Sequence, residues 1–486
     1  MGESVADFRA QFNGCVRIES RSERLTGDAG ALLLRDGLER LGFVDWLGGE
    51  LVDRRNPDLI VHPLLELVLT SILLLAQGWR DQDDADALRD DPVLRLATST
   101  RRGIAPLLPA PRDERGCPTV VPDGLASQPT LSRLARELAE PVNRSVLCRS
   151  LVKLAAHRIR SMRPGGHRPR YVTIDVDSLP IEVHGHQPGS AYNGHYHASV
   201  YHPLIATLGE RGDIVDARLR EGNCHTAEGA LDFILPLLDR VEQDLCQVAS
   251  VRIDAGFPEE KLMGGLEQRD TRYVARVRNN RVLDRMAEPL TKRPPGRRPA
   301  EPRTWFHEMM YRAKSWTRER RVVLVVQERE EELFLHHFWL ITNWSAEQKP
   351  AEALLELYRQ RGTAEGHMGE LMDVLAPALS STLRPKTTYR GDQPKRRYPG
   401  GDPFEINEVR LLLNCLAYNT AHVTRTIVEQ ETGDGWSLRR ITERVLRVAG
   451  RVIVHSGYAT VVIGRVTAKL WSLVTAGLQH LAWTDT

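Results

Sequence analysis

The chain has no paired cysteines, no apolar run long enough to cross a bilayer and no overall excess of charge. Each absence closes off a class of protein. Cys15, Cys117, Cys148, Cys224, Cys246 and Cys415 are scattered, with no CxxC pair. Dispersed thiols in a large chain read as reduced residues of an intracellular protein, not as a disulfide framework. The opening MGESVADFRAQF carries charges where a secretion signal needs an apolar stretch. The most apolar segment, Leu64 to Ala76, is too short to span a membrane and contains Glu66. A soluble, cytoplasmic protein with no membrane partner is therefore expected. The 66 Lys+Arg against 64 Asp+Glu leave only +2, which at first sight argues against a polyanion partner. At 486 residues the chain has room for about three domains of ~150 residues.

The neutral total hides clustering. Residues 131–170 carry ten Lys/Arg against two Glu (+8), 289–323 ten against three (+7), 384–397 six against one (+5) and 439–451 five against one (+4). These stretches hold +24 and the remainder of the chain −22. Separated basic blocks suit a phosphate backbone gripped at several places; Arg-rich solvated helix faces explain the same pattern equally well.

Residues 1–95 read as mostly helical, and 96–127 as a Pro-, Gly- and Arg-rich linker. In SQPTLSRLARELAEP, Ser127 is an N-cap and Pro129 lies in the first turn; a second helix over about 142–160 follows. With Thr130, Ser132, Arg133 and Arg136 near its start, the first helix suits a helix-turn-helix presenting polar groups to a major groove; such pairs are also common in cores. From 170 the texture changes. β-branched or alternating runs at 171–179, 202–208, 214–219, 248–254 and 272–277 read as strands, with helices at 226–245 and from Pro258, giving the order β β β α β α β. A charged, proline-containing stretch with hairpin strands at 304–312 and 322–327 comes next, then a long helix from Pro350 to about Ala376. The last hundred residues hold a basic loop (384–403), an apolar helix at 407–427 and a small basic α+β tail.

Three acids fall at telling places in this order. Asp175 and Asp177 alternate with Ile174 and Val176, so both carboxylates leave one face of the first strand. Asp254 ends the fourth strand in IDAGF, and Glu365 lies on the late helix. Convergent carboxylates repel unless a cation neutralises them, and Mg²⁺ accepts hard oxygens while keeping its waters. Two ions held roughly 4 Å apart clamp the attacking and leaving oxygens of a phosphoryl displacement. Tyr358, Arg361, Glu365, Met368 and Met372 lie three and four residues apart, one stripe on one helical face. A core stripe with Arg and Glu at its centre is costly unless ligand or phosphate engages them.

The chain resembles the bacterial insertion-sequence transposases of the DDE type, group one. The resemblance rests on QDDADALRDDPVL, LASQPTLSRL, IDVDSL, HGHQPGSAYNGHYHASVYHPL, LREGNCHTAEGALDFILPLL, VRIDAGF, LITNW and YRQRGTAEGHMGEL, which span most of 80–375. It implies an α/β fold with an RNase H-like catalytic core at 170–278 and 349–380, interrupted by a β-rich insertion at 279–348. A helical N-terminal DNA-end-binding region (1–165) and a basic α+β C-terminal region (381–486) would flank it. It implies Asp177, Asp254 and Glu365 as catalytic metal ligands, with Asp175 a further candidate. It also implies two Mg²⁺ ions (Mn²⁺ an expected substitute), cleavage at inverted-repeat ends and strand transfer to target DNA. A homodimeric synaptic complex on double-stranded DNA follows, nucleoid-associated when bound. Tyr358 and Arg361 fit the family's Tyr–x2–Arg–x3–Glu–x6–Lys signature, but Met372 stands where the lysine is expected. The expected DNA contacts are Tyr358, Arg361, His195, Arg133 and Arg136, with Trp305, Trp316 or Trp339 stacking on a flipped base.

Two rival readings remain open. His184, His186, His195, His197 and His202, with His225 behind them, have a zinc-like composition, so a zinc-dependent hydrolase competes, although no HExxH helix is present. A non-catalytic DNA-binding regulator built on 127–160 would leave the three acids without a role.

Overall fold

The computed structural model describes the chain except residues 1–7, 14, 19–21, 104, 109–121, 123, 164–166, 184, 294–300, 330–333, 382–385, 391–392, 398–400 and 482–486. Its centre, among the described residues, is a sheet of eight strands: β1 (Tyr171–Ser178), β2 (Leu204–Leu208), β3 (Ile214–Arg218), β4 (Gln247–Ile253), β5 (Tyr273–Val277), β6 (Arg303–Tyr311), β7 (Arg320–Glu328) and β8 (His336–Thr342). Their order is β6-β7-β8-β5-β4-β1-β2-β3. β1, β2 and β3 are antiparallel neighbours, β4 runs parallel to β1 and β5 parallel to β4. β8 then joins β5 antiparallel, so the stretch expected as an insertion extends the same sheet.

The helices divide by what covers them. α1 (Leu64–Ala76), α2 (Gln128–Ala139) and α3 (Pro141–Ser161) precede the sheet, and α4 (Ala230–Asp244) and α5 (Glu260–Gln268) lie between its strands. α6 (Ala351–Arg359) and α7 (Arg361–Glu370) follow, then α8 (Pro403–Thr432) and α9 (Arg465–Gln479). Val172, Ile174 and Val176 of β1 pack with Phe233, Leu237, Leu262 and Leu266 of α4 and α5 in one core, which α3 joins through Val152, Ala155 and Ile159. That core exists because period-2 strands and period-3.6 helices each present one apolar face.

A second core unites the two ends of the chain. α8, 30 residues long and buried on nearly all sides, packs against α1, α2, α3 and α9. A helix buried on nearly every side belongs at the centre of a body, and the polar side chains it buries, such as Asn407 and Arg425, are hydrogen-bonded to their surroundings. Regions read in the sequence as separate flanks are thus packed together. Asn419 of α8 docks this body onto the sheet edge, accepting from Ile214 N at 2.9 Å and donating to Ile214 O at 2.7 Å.

The helix-turn-helix expectation is narrowed by burial. α3 buries its second half, Leu154 to Ile159, between sheet and helical body, while Val142, Ser145 and Arg149 in its first half stay at or near the surface, so at most its first turns could face a groove. Arg133 is exposed and donates to Thr130 Oγ1, and Arg136 lies half-buried against Gly401. Parts of the linker at 96–127 and of the 384–403 loop fall outside the described residues.

Candidate functional site

β1 carries two carboxylates on the face away from α4 and α5, and they have different fates. Asp175 is 1% exposed and receives both Nε and Nη2 of Arg252, each at 2.5 Å. Burial pushes its carboxyl up and Arg252 pulls it back. With both oxygens committed to a guanidinium, Asp175 is a structural partner, which corrects its place as a further metal candidate.

Asp177, one pleat farther along, is only partly covered. Its Oδ1 accepts from Ser178 N at 2.8 Å and its Oδ2 from Arg361 Nη2 at 2.6 Å. Arg361 Nη1 donates to Glu365, so one buried guanidinium bridges the first aspartate and the glutamate. Asp254 immediately follows β4, where Gly256 abuts Thr226 too closely for a Cβ, 2.6 Å from its Cγ2. Desolvation pushes the Asp177 carboxyl up to about 6, opposed by Arg361 and the Ser178 amide and assisted by the charges of Asp254 and Glu365. Asp254 and Glu365 are therefore both within electrostatic reach of Asp177. Glu365 is the open member, its side chain 56% exposed. Burial, with help from Asp254 and Glu365, raises the Tyr358 phenol to about 12, so it stays a neutral donor.

The helix delivering these groups is not one piece. α6 packs Ala351, Leu354 and Leu355 on the sheet, whereas α7 packs Met368 on the helical body, and the run breaks at Gln360. Gly362, Gly366 and Gly369 weaken α7 as a helix. Its far end is anchored: against its burial, His367 and Arg425 hold Glu370 down at about 2. The chain then widens into a π-type turn, Leu371–Leu375, where Met372 packs partly buried against the helical core.

The hairpin of Ala191–Asn193 and Ala198–Tyr201 exposes His195 and His197 at its turn. Between them, Tyr196 sets its ring edge-on to His195 (4.8 Å) and His202 (6.0 Å). Burial, then the charges of Asp177 and Asp254, push its phenol up. The histidines themselves diverge: His202 is buried and His225 pairs with Glu259, while His184 lies outside the described residues. Among the described residues no group of three His, Cys, Asp or Glu is arranged to hold a metal ion. That holds for the histidines, and for the three acids while Arg361 stands between two of them.

The tryptophans are corrected too. Trp339 is fully buried and Trp316 7% exposed, against Tyr311 and Arg320, so neither ring can receive a base without opening the core. Trp305 is half-buried on β6. Sequence reasoning passed over Tyr196, hidden among histidines, and Arg252, although period-2 spacing in VRID puts Arg252 on the strand face of Asp254.

Among the described residues no helix is long and apolar enough to cross a membrane. No curated protein matches the chain. Among solved structures, a piggyBac transposase synaptic complex with hairpin DNA is similar over 96% of this chain and 88% of that one, at 12% identity and a TM-score of 0.41. The profile described as "Transposase DDE domain group 1" matches residues 8–382. With that match over most of its length, the chain belongs to the DDE transposase family, group 1.

Proposed function

We propose that the protein is a DNA-cleaving and strand-transferring transposase whose catalytic set is Asp177, Asp254 and Glu365. The observation that carries this is that Asp177 on a strand and Glu365 on a helix share Arg361, with Asp254 at the end of the neighbouring strand within electrostatic reach of Asp177, in a chain of this family. The order β3-β2-β1-β4-β5, three strands antiparallel and two parallel, supports an RNase H-like core.

Three hard oxygen donors, one of them kept from easy ionisation, fit a divalent cation by chemistry, Mg²⁺ or Mn²⁺. Asp177, Asp254 and Glu365 would hold it, and it would supply charge neutralisation and an activated water. The protein's own groups do the rest. Arg361 offers a planar fork for a phosphate once it releases a carboxylate, and neutral Tyr358 donates a hydrogen bond. His195 and Tyr196 flank the approach from the hairpin. Hydrolysis at an inverted-repeat end frees a 3′-hydroxyl, which then attacks target DNA, or the opposite strand to leave a hairpin. Two ends must be held together, so the working unit is a homodimer on double-stranded DNA, gripped by the basic stretches.

Purified protein should nick a duplex bearing the inverted repeat that flanks its own gene, only with Mg²⁺ or Mn²⁺. Binding without nicking under any divalent metal refutes the enzyme and leaves a DNA-binding regulator.

A further inference from the structure

Arg252 is 1% exposed and lies on β4 two residues before Asp254. Strand register sets it directly across from Asp175, itself two residues before Asp177. While Nε and Nη2 hold Asp175, Nη1 turns the other way and donates to Leu357 O at 2.9 Å and Gln360 Oε1 at 3.2 Å. One guanidinium therefore touches β1, its own β4 and the α6–α7 junction. Room for it is made by Gly209, where a Cβ would stand 2.2 Å from Arg252 Nη2 and 2.8 Å from Asp175 Oδ2. Gly209 is held in place by its backbone N–H, which donates to Thr173 O at 2.9 Å.

Stability alone does not account for such a residue, because a buried ion pair is often matched by apolar groups of similar volume. Apolar replacements cannot reach a helix carbonyl and a side-chain amide at once. The junction needs such a tie, since α6 belongs to the sheet core and α7 to the helical core. Leu357 and Gln360 bracket the segment that carries Tyr358 and leads into Arg361.

We propose that Arg252 is a positioning residue: it sets the α6–α7 junction, and through it Tyr358, Arg361 and Glu365, against the strands that carry Asp177 and Asp254. The proposal rests on reading those acids as the catalytic set. Misplacing reacting groups by about 1 Å costs on the order of 100-fold in rate, so the tie matters to turnover far beyond its share of stability.

The test compares full-length Asp175→Leu/Arg252→Met, Arg252→Lys and Gln360→Ala with wild type. Unfolding by urea, binding to the element's own end, Mg²⁺-dependent nicking and hydrogen exchange over 357–365 are read for each. The double variant should unfold and bind ends like wild type, yet nick about 100-fold more slowly, with exchange over 357–365 about tenfold faster. Arg252→Lys should recover part of the nicking, and Gln360→Ala should lose a few-fold with unchanged unfolding. A stable double variant with wild-type nicking and exchange overturns the proposal. Should that variant not fold, normal nicking and exchange in Gln360→Ala overturn it instead. If wild type itself binds ends but never nicks, the functional reading fails, while exchange over 357–365 still decides whether Arg252 ties the junction.

Discussion

Asp175 and Asp177 stand two residues apart on one face of one strand, each bonded to an arginine, yet they illustrate opposite uses of the same chemistry. The inner pair is closed: the side chains of Asp175 and Arg252 are buried almost completely, and every carboxylate oxygen has a donor. The outer pair is shared: Arg361 divides itself between Asp177 and a half-open Glu365, with Asp254 close by. A closed pair holds shape. A shared one, short of positive charge, is ready to accept more. Strand position alone does not separate the two roles; the number of carboxylates per guanidinium does.

The largest expected contrast is chemical. Asp254→Asn or Glu365→Gln should reduce nicking of the element's end to background while end binding stays within about twofold, because neither side chain carries the fold. Nicking that survives either change would remove the outer group from the mechanism, and with it the contrast drawn above.

Next in size is stability. Arg252→Ala leaves the Asp175 charge buried without a partner and should cost about 3–5 kcal/mol, read by urea unfolding. Arg361→Ala should cost about 1–2 kcal/mol, since Asp177 can take up a proton and Glu365 reaches water. Equal losses would show that the outer group is structural as well.

How far the sequence anticipated this follows from what each signal reports. Period-2 alternation in YVTIDVDS and VRID, and the helical spacing of 226–245, report burial against one neighbouring layer, and the sheet's central strands and α4 formed where they were expected. That Asp177 would lie on a strand, Asp254 at a strand end and Glu365 on a helix was legible for the same reason. What was not legible depends on partners distant in the chain. α3 reads as the second helix of a helix-turn-helix pair, but only the folded chain shows sheet on one side and α8 on the other. Trp339 reads as an aromatic of the expected insertion, and only its pairing with Val277 and Leu324 shows that its strand is interior. The periodic stripe from Tyr358 to Met372 gave no hint of the break at Gln360, because two cores, not local propensity, divide that helix.

A third prediction uses pH. The folded protein keeps a proton on Asp177 up to about 6, whereas its ordinary value is 3.8. Raising pH from about 4 to about 6 therefore removes stability, because the unfolded chain ionises freely and the native one does not. Asp177→Asn should abolish that decline, measured as unfolding free energy against pH. Nicking should rise along an acid limb near pH 6, and Arg361→Gln, by deleting the nearest cation, should move the limb upward. A limb unmoved by Arg361→Gln would mean that Asp177 does not set it.

The smallest expected effect concerns Met372, where related signatures carry lysine. This residue sits in the π-type turn between buried Leu371 and exposed Asp373, with its side chain packed against the helical core. Two arginines from opposite ends of the chain already converge there. Arg80 donates to the carbonyls of Asp373 and Val374, and Arg439 pairs with the Asp373 carboxylate. A lysine introduced at 372 would have to carry its stem along the apolar surface to reach water, and would add one charge beside two already present. Met372→Lys should therefore change end binding and strand transfer by less than about threefold, as one more screened surface charge does. Arg439→Ala, which strips a cation from the same turn without touching the core, should weaken end binding more than Met372→Lys strengthens it. The reverse ranking in a filter-binding titration would mean that the turn is short of charge, and that the outer site extends as far as residue 372.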